Sequence, residues 1–141
     1  MLKIEIEGVD DFLKSVNTEL KGDKKLISKV LSLAATETHR NAVESIKRGG
    51  RHGKVYRSGT RKQHVASVEG EAPASDTGVL VKNITIEKET DGFTVGSRKG
   101  APHGLWLEFG TSRMGARPWL QPAFDKMVKW FDASIAFGVF K

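Results

Sequence analysis

The chain has no cysteine. That excludes disulfides, thiolate nucleophiles and cysteine zinc sites, and it fits synthesis in a reducing cytosol. Long apolar runs are missing too. No stretch of about 18 apolar residues occurs, so no membrane-spanning helix is expected. The opening residues MLKIEIEGVDD alternate and carry acids, which is not the pattern of a signal peptide. Histidine is scarce, and His39, His52, His64 and His103 form no i, i+4 pair and no HExxH. His39 reads as a residue flanking a helix stripe or at the surface. His52 and His64 read as solvated loop residues, and His103, between Pro102 and Gly104, as a turn residue. GGRHGK lacks the GxxxxGK[ST] spacing of a phosphate loop and follows no apolar strand. Ser58 and Ser67 stand in no nucleophile-elbow context. The expectation is a non-enzyme with no catalytic group, no metal and no cofactor.

What is present fits one domain over residues 1–141, with 38% hydrophobic residues to build a modest core. The net charge is +6, and a single stretch supplies it. Residues 47–64 read KRGGRHGKVYRSGTRKQH and hold seven cations: Lys47, Arg48, Arg51, Lys54, Arg57, Arg61 and Lys62. They include no acid, and without them 16 basic residues face 17 acidic ones. Four glycines and few apolar residues predict a flexible basic loop over about 47–64. The charge has two readings: contact with DNA phosphate or an acidic neighbour, or a solvated loop with no charge-specific role.

Taken in order, Leu2, Ile4 and Ile6 alternate with Lys3, Glu5 and Glu7, which predicts a half-buried strand ended by Gly8. Asp10 is the expected cap of a helix with Phe12, Leu13, Val16 and Leu20 inward. Asp23 is the expected cap of a longer helix over 24–48, roughly 37 Å at 1.5 Å per residue. Its stripe is Ile27, Val30, Leu31, Ala34, Thr38, Ala42 and Ile46, and Gly49-Gly50 ends it. Residues 65–78 read as an extended loop. Leu80, Ile84 and Ile86, with Lys82 interrupting, predict a strand over 79–87. A turn at Glu89–Gly92 and a return strand through Phe93 and Val95 follow. Residues 103–109 fit a short helix or a strand. Pro122 suits the first turn of a last helix with Phe124, Met127, Val128, Phe131 and Ile135 inward and Gly138 as stop. The sum is an α+β fold: N-terminal strand, two helices, small antiparallel sheet, C-terminal helix.

The densest chemistry lies in APHGLWLEFGTSRMGARPWLQPAF, residues 101–124. Trp106, Phe109 and Trp119 are large apolar side chains in a frame of glycines and prolines. Such residues are either core or interface. Glu108 is the one acid among them. It is expected to be a structural group held by Arg113 or Arg117 rather than a general base.

These residues carry a resemblance. Glu108-Phe109-Gly110-Thr111, then Ala116-Arg117-Pro118-Trp119 and Pro122-Ala123, resemble the small tail-component family of long-tailed bacteriophages and prophages, often called tail-completion, neck or head–tail joining proteins. A second step, Gly70, Pro73, Thr77-Gly78 and Leu80, is similar to one such proteins often carry. The likeness covers residues 60–125 well and the first 50 by pattern. Trp119 stands where Phe is commoner. The resemblance implies a virion protein of the tail or neck, made in the host cytoplasm. It implies neighbouring neck and tail proteins as partners, a homo-oligomeric ring, transient contact with DNA in the lumen and no membrane. Trp106, Glu108, Phe109, Gly110, Thr111, Arg117, Pro118, Trp119 and Pro122 would define its fold or interface. The alternatives are a tail terminator capping the tube and, from the basic stretch, a standalone nucleic-acid-binding protein. The basic stretch contains no recognised nucleic-acid-binding module, and Tyr56 is its lone aromatic.

Overall fold

The structure is a computed structural model, which describes residues 7–48, 55–56, 64–65, 69–70, 73, 79–89, 92–97, 103–113 and 115–140. The fold is α+β, as the patterning predicts. The strand expected at Leu2–Ile6 lies outside the described residues.

The first helix, α1 (Val9–Glu19), starts two residues earlier than an Asp10 cap would set it. Gly8 is the cap residue, with φ of 92°, and its carbonyl accepts the Phe12 amide at 3.0 Å. A left-handed entry suits glycine, and it places Asp10 and Asp11 in the first turn, where the helix dipole favours acids. The exit is a Schellman turn. Gly22 N–H donates to Asn17 C=O at 3.1 Å and Lys21 N–H to Thr18 C=O at 3.3 Å. Lys21 takes the left-handed conformation there, at φ 53°.

The spine is α2 (Lys24–Arg48), 25 residues long. Asp23 caps it as predicted: the Leu26 amide donates to Asp23 Oδ1 at 3.2 Å, and the Ile27 amide to Asp23 C=O at 2.8 Å. Val30, Ala34, Thr38, Ala42 and Ile46 are buried along the expected stripe, joined by Ala35 and Asn41. Thr38 sits in that stripe because its hydroxyl donates to Ala34 C=O one turn back.

Two elements lean on this spine. One is α5 (Gln121–Ala136), with Ala123, Phe124, Met127, Phe131 and Ser134 buried. Its end is a second Schellman turn, at Gly138, with φ of 71°. Between the two helices Asn41 Nδ2 donates to Ala123 C=O at 3.2 Å, which satisfies a buried polar pair. Phe12 of α1 completes this half of the core. It meets Phe124 and Phe131 edge-on, at ring distances of 5.8 and 5.3 Å.

The other element is an antiparallel hairpin of β3 (Ile84–Glu89) and β4 (Gly92–Ser97), in register from Ile84↔Ser97 to Glu89↔Gly92. That register agrees with a turn at Glu89–Gly92. His39 of α2 reaches the hairpin: its Nε2 lies 3.1 Å from Ile84 C=O. A carbonyl only accepts, so Nε2 carries the hydrogen. His39 is therefore a half-buried tie between helix and sheet, not a surface residue.

The strand expected over 79–87 begins late. Residues 79–83 form a short helix, α3 (Val79–Asn83). Leu80 and Ile84 are both buried, four residues apart. A helical turn brings both inward and puts Lys82 at the surface, whereas a strand would have buried Lys82 beside them. Two short strands are described in and beside the basic stretch. β1 (Val55–Tyr56) and β2 (His64–Val65) pair antiparallel, Val55 opposite Val65 and Tyr56 opposite His64. Short β-formers between glycines and cations give too brief a pattern to register as strands.

Candidate functional site

Residues 103–109 are helical: α4 (His103–Phe109). One turn of helix sorts its side chains. Gly104 and Glu108 are buried and Leu107 is half-buried. Trp106 and Phe109, three apart, face outward with 53% and 56% of their surfaces exposed. Trp119 is fully buried. The three aromatics thus divide: one is core, two are surface.

Glu108 explains how this short helix holds its place. Oε2 accepts the amides of Trp119 at 2.7 Å and Leu120 at 2.8 Å, and Oε1 accepts that of Gln121 at 2.9 Å. Leu120 is the cap residue of α5 and its side chain makes no cap hydrogen bond. An apolar cap would leave amide donors without an acceptor, and Glu108 supplies one from 13 residues upstream. A carboxylate at this end also lies where the helix dipole is positive. Backbone amides thus hold Glu108, for which Arg113 or Arg117 is the expected partner from the sequence. The side chain of Arg113 is exposed.

The turn between the two helices is stitched to the same point. Gly110, at φ 77°, donates its amide to Trp106 C=O at 2.7 Å and closes α4. Thr111 Oγ1 accepts the Arg113 amide at 3.2 Å. The Arg117 amide donates to Leu107 C=O at 2.6 Å, and the Gly70 amide to Ala116 C=O at 2.9 Å. Pro118 is half-buried, and Trp119 follows, its Nε1 donating to Gly104 C=O at 2.8 Å. Pro122 lies in the first turn of α5, where its missing amide costs no hydrogen bond. Gly104 allows the close approach: a Cβ there would lie 3.1 Å from Leu80 Cδ1 and 3.2 Å from Ser97 Cβ.

Two residues that pattern reading passed over also matter here. Gln121 clasps the incoming chain: its Oε1 accepts the Glu7 amide at 2.7 Å, and its Nε2 donates to Glu7 C=O at 3.1 Å. Asn41, already described, ties α2 to α5. A polar residue beside an apolar stripe was the available signal for Asn41; nothing in the sequence marked Gln121.

Of the basic residues, Lys47 and Arg48 are exposed in the last turn of α2. Arg51, Lys54, Arg57, Arg61 and Lys62 lie outside the described residues. A concave feature of about 730 Å3 lies elsewhere, between α1, α2, β4 and the start of α5, with a mainly apolar lining that includes Leu13, Leu31, Ala35, Phe93 and Val95. Among the described residues no cluster of three His, Asp or Glu side chains is placed to hold a metal ion. No described helix is long and apolar enough to cross a membrane.

Neither curated proteins nor solved structures give a match to the chain. The HK97-gp10-like family model, described as "Bacteriophage HK97-gp10, putative tail-component", matches residues 10–110. That span runs from α1 through the Glu108-Phe109-Gly110 step and stops short of Arg117-Pro118-Trp119. It covers well over half of the sequence, and by it the chain belongs to the HK97-gp10-like family of bacteriophage tail components.

Proposed function

We propose that this protein is a non-enzymatic coupler that completes the tail and joins it to the head at the neck, as one subunit of a ring. One observation carries the reading beyond family membership. Trp106 and Phe109 are exposed on a helix whose opposite side is fixed by a buried carboxylate. Exposed aromatics on a rigid base are what an assembly contact needs, because little side-chain or backbone order is lost on docking. A ring with head-to-tail contacts needs a second patch on each subunit. The cationic end of α2, Lys47 and Arg48, with the basic residues that follow, is the candidate for it. An acidic protein neighbour suits this patch better than DNA, because tight phosphate binding would hinder a genome that has to slide through.

The experiment is complementation of a phage lacking the protein with Trp106→Ser/Phe109→Ser. The purified variant is expected to keep its melting temperature, while particles assemble as full-length tails and filled heads that stay apart. Wild-type yields of joined particles would overturn the proposal. Abnormally long tails in the absence of the protein would favour the tail terminator. Sequence-independent DNA binding that survives well above physiological salt, with normal particles in its absence, would favour a nucleic-acid-binding protein.

A further inference from the structure

The reading of Trp106 and Phe109 as an assembly contact leaves open what receives them, and this inference rests on that reading. Their own subunit leaves both side chains more than half exposed, and neither lines the apolar groove between α1, α2, β4 and α5. Helix α4 cannot turn them inward without breaking the bonds of Glu108 and the Trp119 indole, which pin its other side to the start of α5. The groove has room for them. Its volume is about 730 Å3, whereas an apolar cavity of about 150 Å3 already holds a benzene ring. An indole and a phenyl ring, with the turn of helix that carries them, therefore fit. The walls are apolar surface left wet: Val9 and Leu13 are exposed, and Leu31, Phe93 and Val95 half-buried. Concave apolar surface of this extent marks a contact site.

Charge selects the partner. Glu89 lines the groove on its β3 side, held there by the Thr94 hydroxyl, which donates to Oε1 at 2.6 Å. On the α1 side Asp10 is exposed, one turn before Leu13. The surface around α4 has the opposite sign. From His103 to Arg117 the only acid is Glu108, which is buried, while Arg113 is exposed shortly after Phe109. An apolar knob beside a cation matches an apolar groove beside acids. We propose that the groove of one subunit receives Trp106 and Phe109 of a second copy, with that copy's Arg113 set against Glu89. The contact joins unlike patches, so it is heterologous and repeats from copy to copy until a ring closes. The groove thereby extends the second patch. Lys47 and Arg48 lie further along α2 than Thr38, its last residue in the groove, and remain available to an acidic neighbour.

The absence of cysteine makes the test clean. Leu13→Cys/Phe109→Cys is supplied to a phage lacking the protein, and the purified joined particles are treated with a short bismaleimide. Covalent multiples of the chain are expected, and none from Leu13→Cys or Phe109→Cys alone. Monomer alone from the double variant overturns the proposal, as do multiples from either single variant, which would set like patches together. Charge reversal gives a second measurement that needs no cysteine. Arg113→Glu and Glu89→Arg are each expected to lower the yield of joined particles about tenfold, and the two together to restore it. No loss in the single variants, or no recovery in the double one, overturns the proposal. The joining role is judged separately, since it fails only if particles lacking the protein join normally.

Discussion

Glu108 and Trp119 act as a pair across a gap of eleven residues. The carboxylate holds the Trp119 amide while the indole holds the Gly104 carbonyl, so each residue fixes the helix that the other starts or belongs to. Glu108→Ala is expected to cost about 3 kcal/mol in urea unfolding, because buried amides at the start of α5 lose their acceptor. Glu108→Gln should fall between, since its amide NH2 would face a donor. Trp119→Ala is expected to cost on the order of 3–5 kcal/mol, the range for emptying a large buried site. Gly104→Ala should cost about 1–3 kcal/mol, because Leu80 and Ser97 would have to shift. Equal stability of Gly104→Ala and the wild type in the same assay would show that the packing there has slack. The sequence signalled this neighbourhood through its aromatics, glycines and prolines. It did not disclose which aromatic was buried, nor that the acid was met by amides. Both depend on the rotation of one short helix against another, which spacing alone does not determine.

At the scale of the element, helices were the most legible feature. The stripe of α2 and the inward face of α5 repeat at three and four residues for long enough to be unambiguous. Short elements were not, and α3, β1 and β2 are five, two and two residues long. One helix end departs from the preferred residue. Lys21 occupies the left-handed position of the Schellman turn, where glycine has no Cβ penalty. Lys21→Gly is therefore expected to stabilise the protein by about 0.5–1 kcal/mol, read as a raised urea midpoint at unchanged slope. A lowered midpoint would mean that the greater freedom of glycine in the unfolded chain outweighs the relief of strain.

For the whole molecule, the family match and the α+β fold were both within reach of the sequence. The fold's organisation around one spine was less so, because it depends on the polar ties of His39 and Asn41. The surface left over is uneven, with Trp106 and Phe109 as its largest aromatics near the turn. Acrylamide should quench the wild-type tryptophan emission strongly, and Trp106→Phe should remove most of the quenchable component while leaving the buried Trp119 signal. An unchanged quenching curve would place Trp106 against other groups in solution. Glu108, between the two exposed aromatics, has mechanical significance. A force applied to that face would pass through the Glu108 carboxylate, together with the Trp119–Gly104 and Arg117–Leu107 hydrogen bonds, into the first turn of the last helix, and from there to the long helix behind it. Strain at the joint would thus be carried along the length of the subunit and not absorbed in a loop, so a tug at the surface should register at the far end.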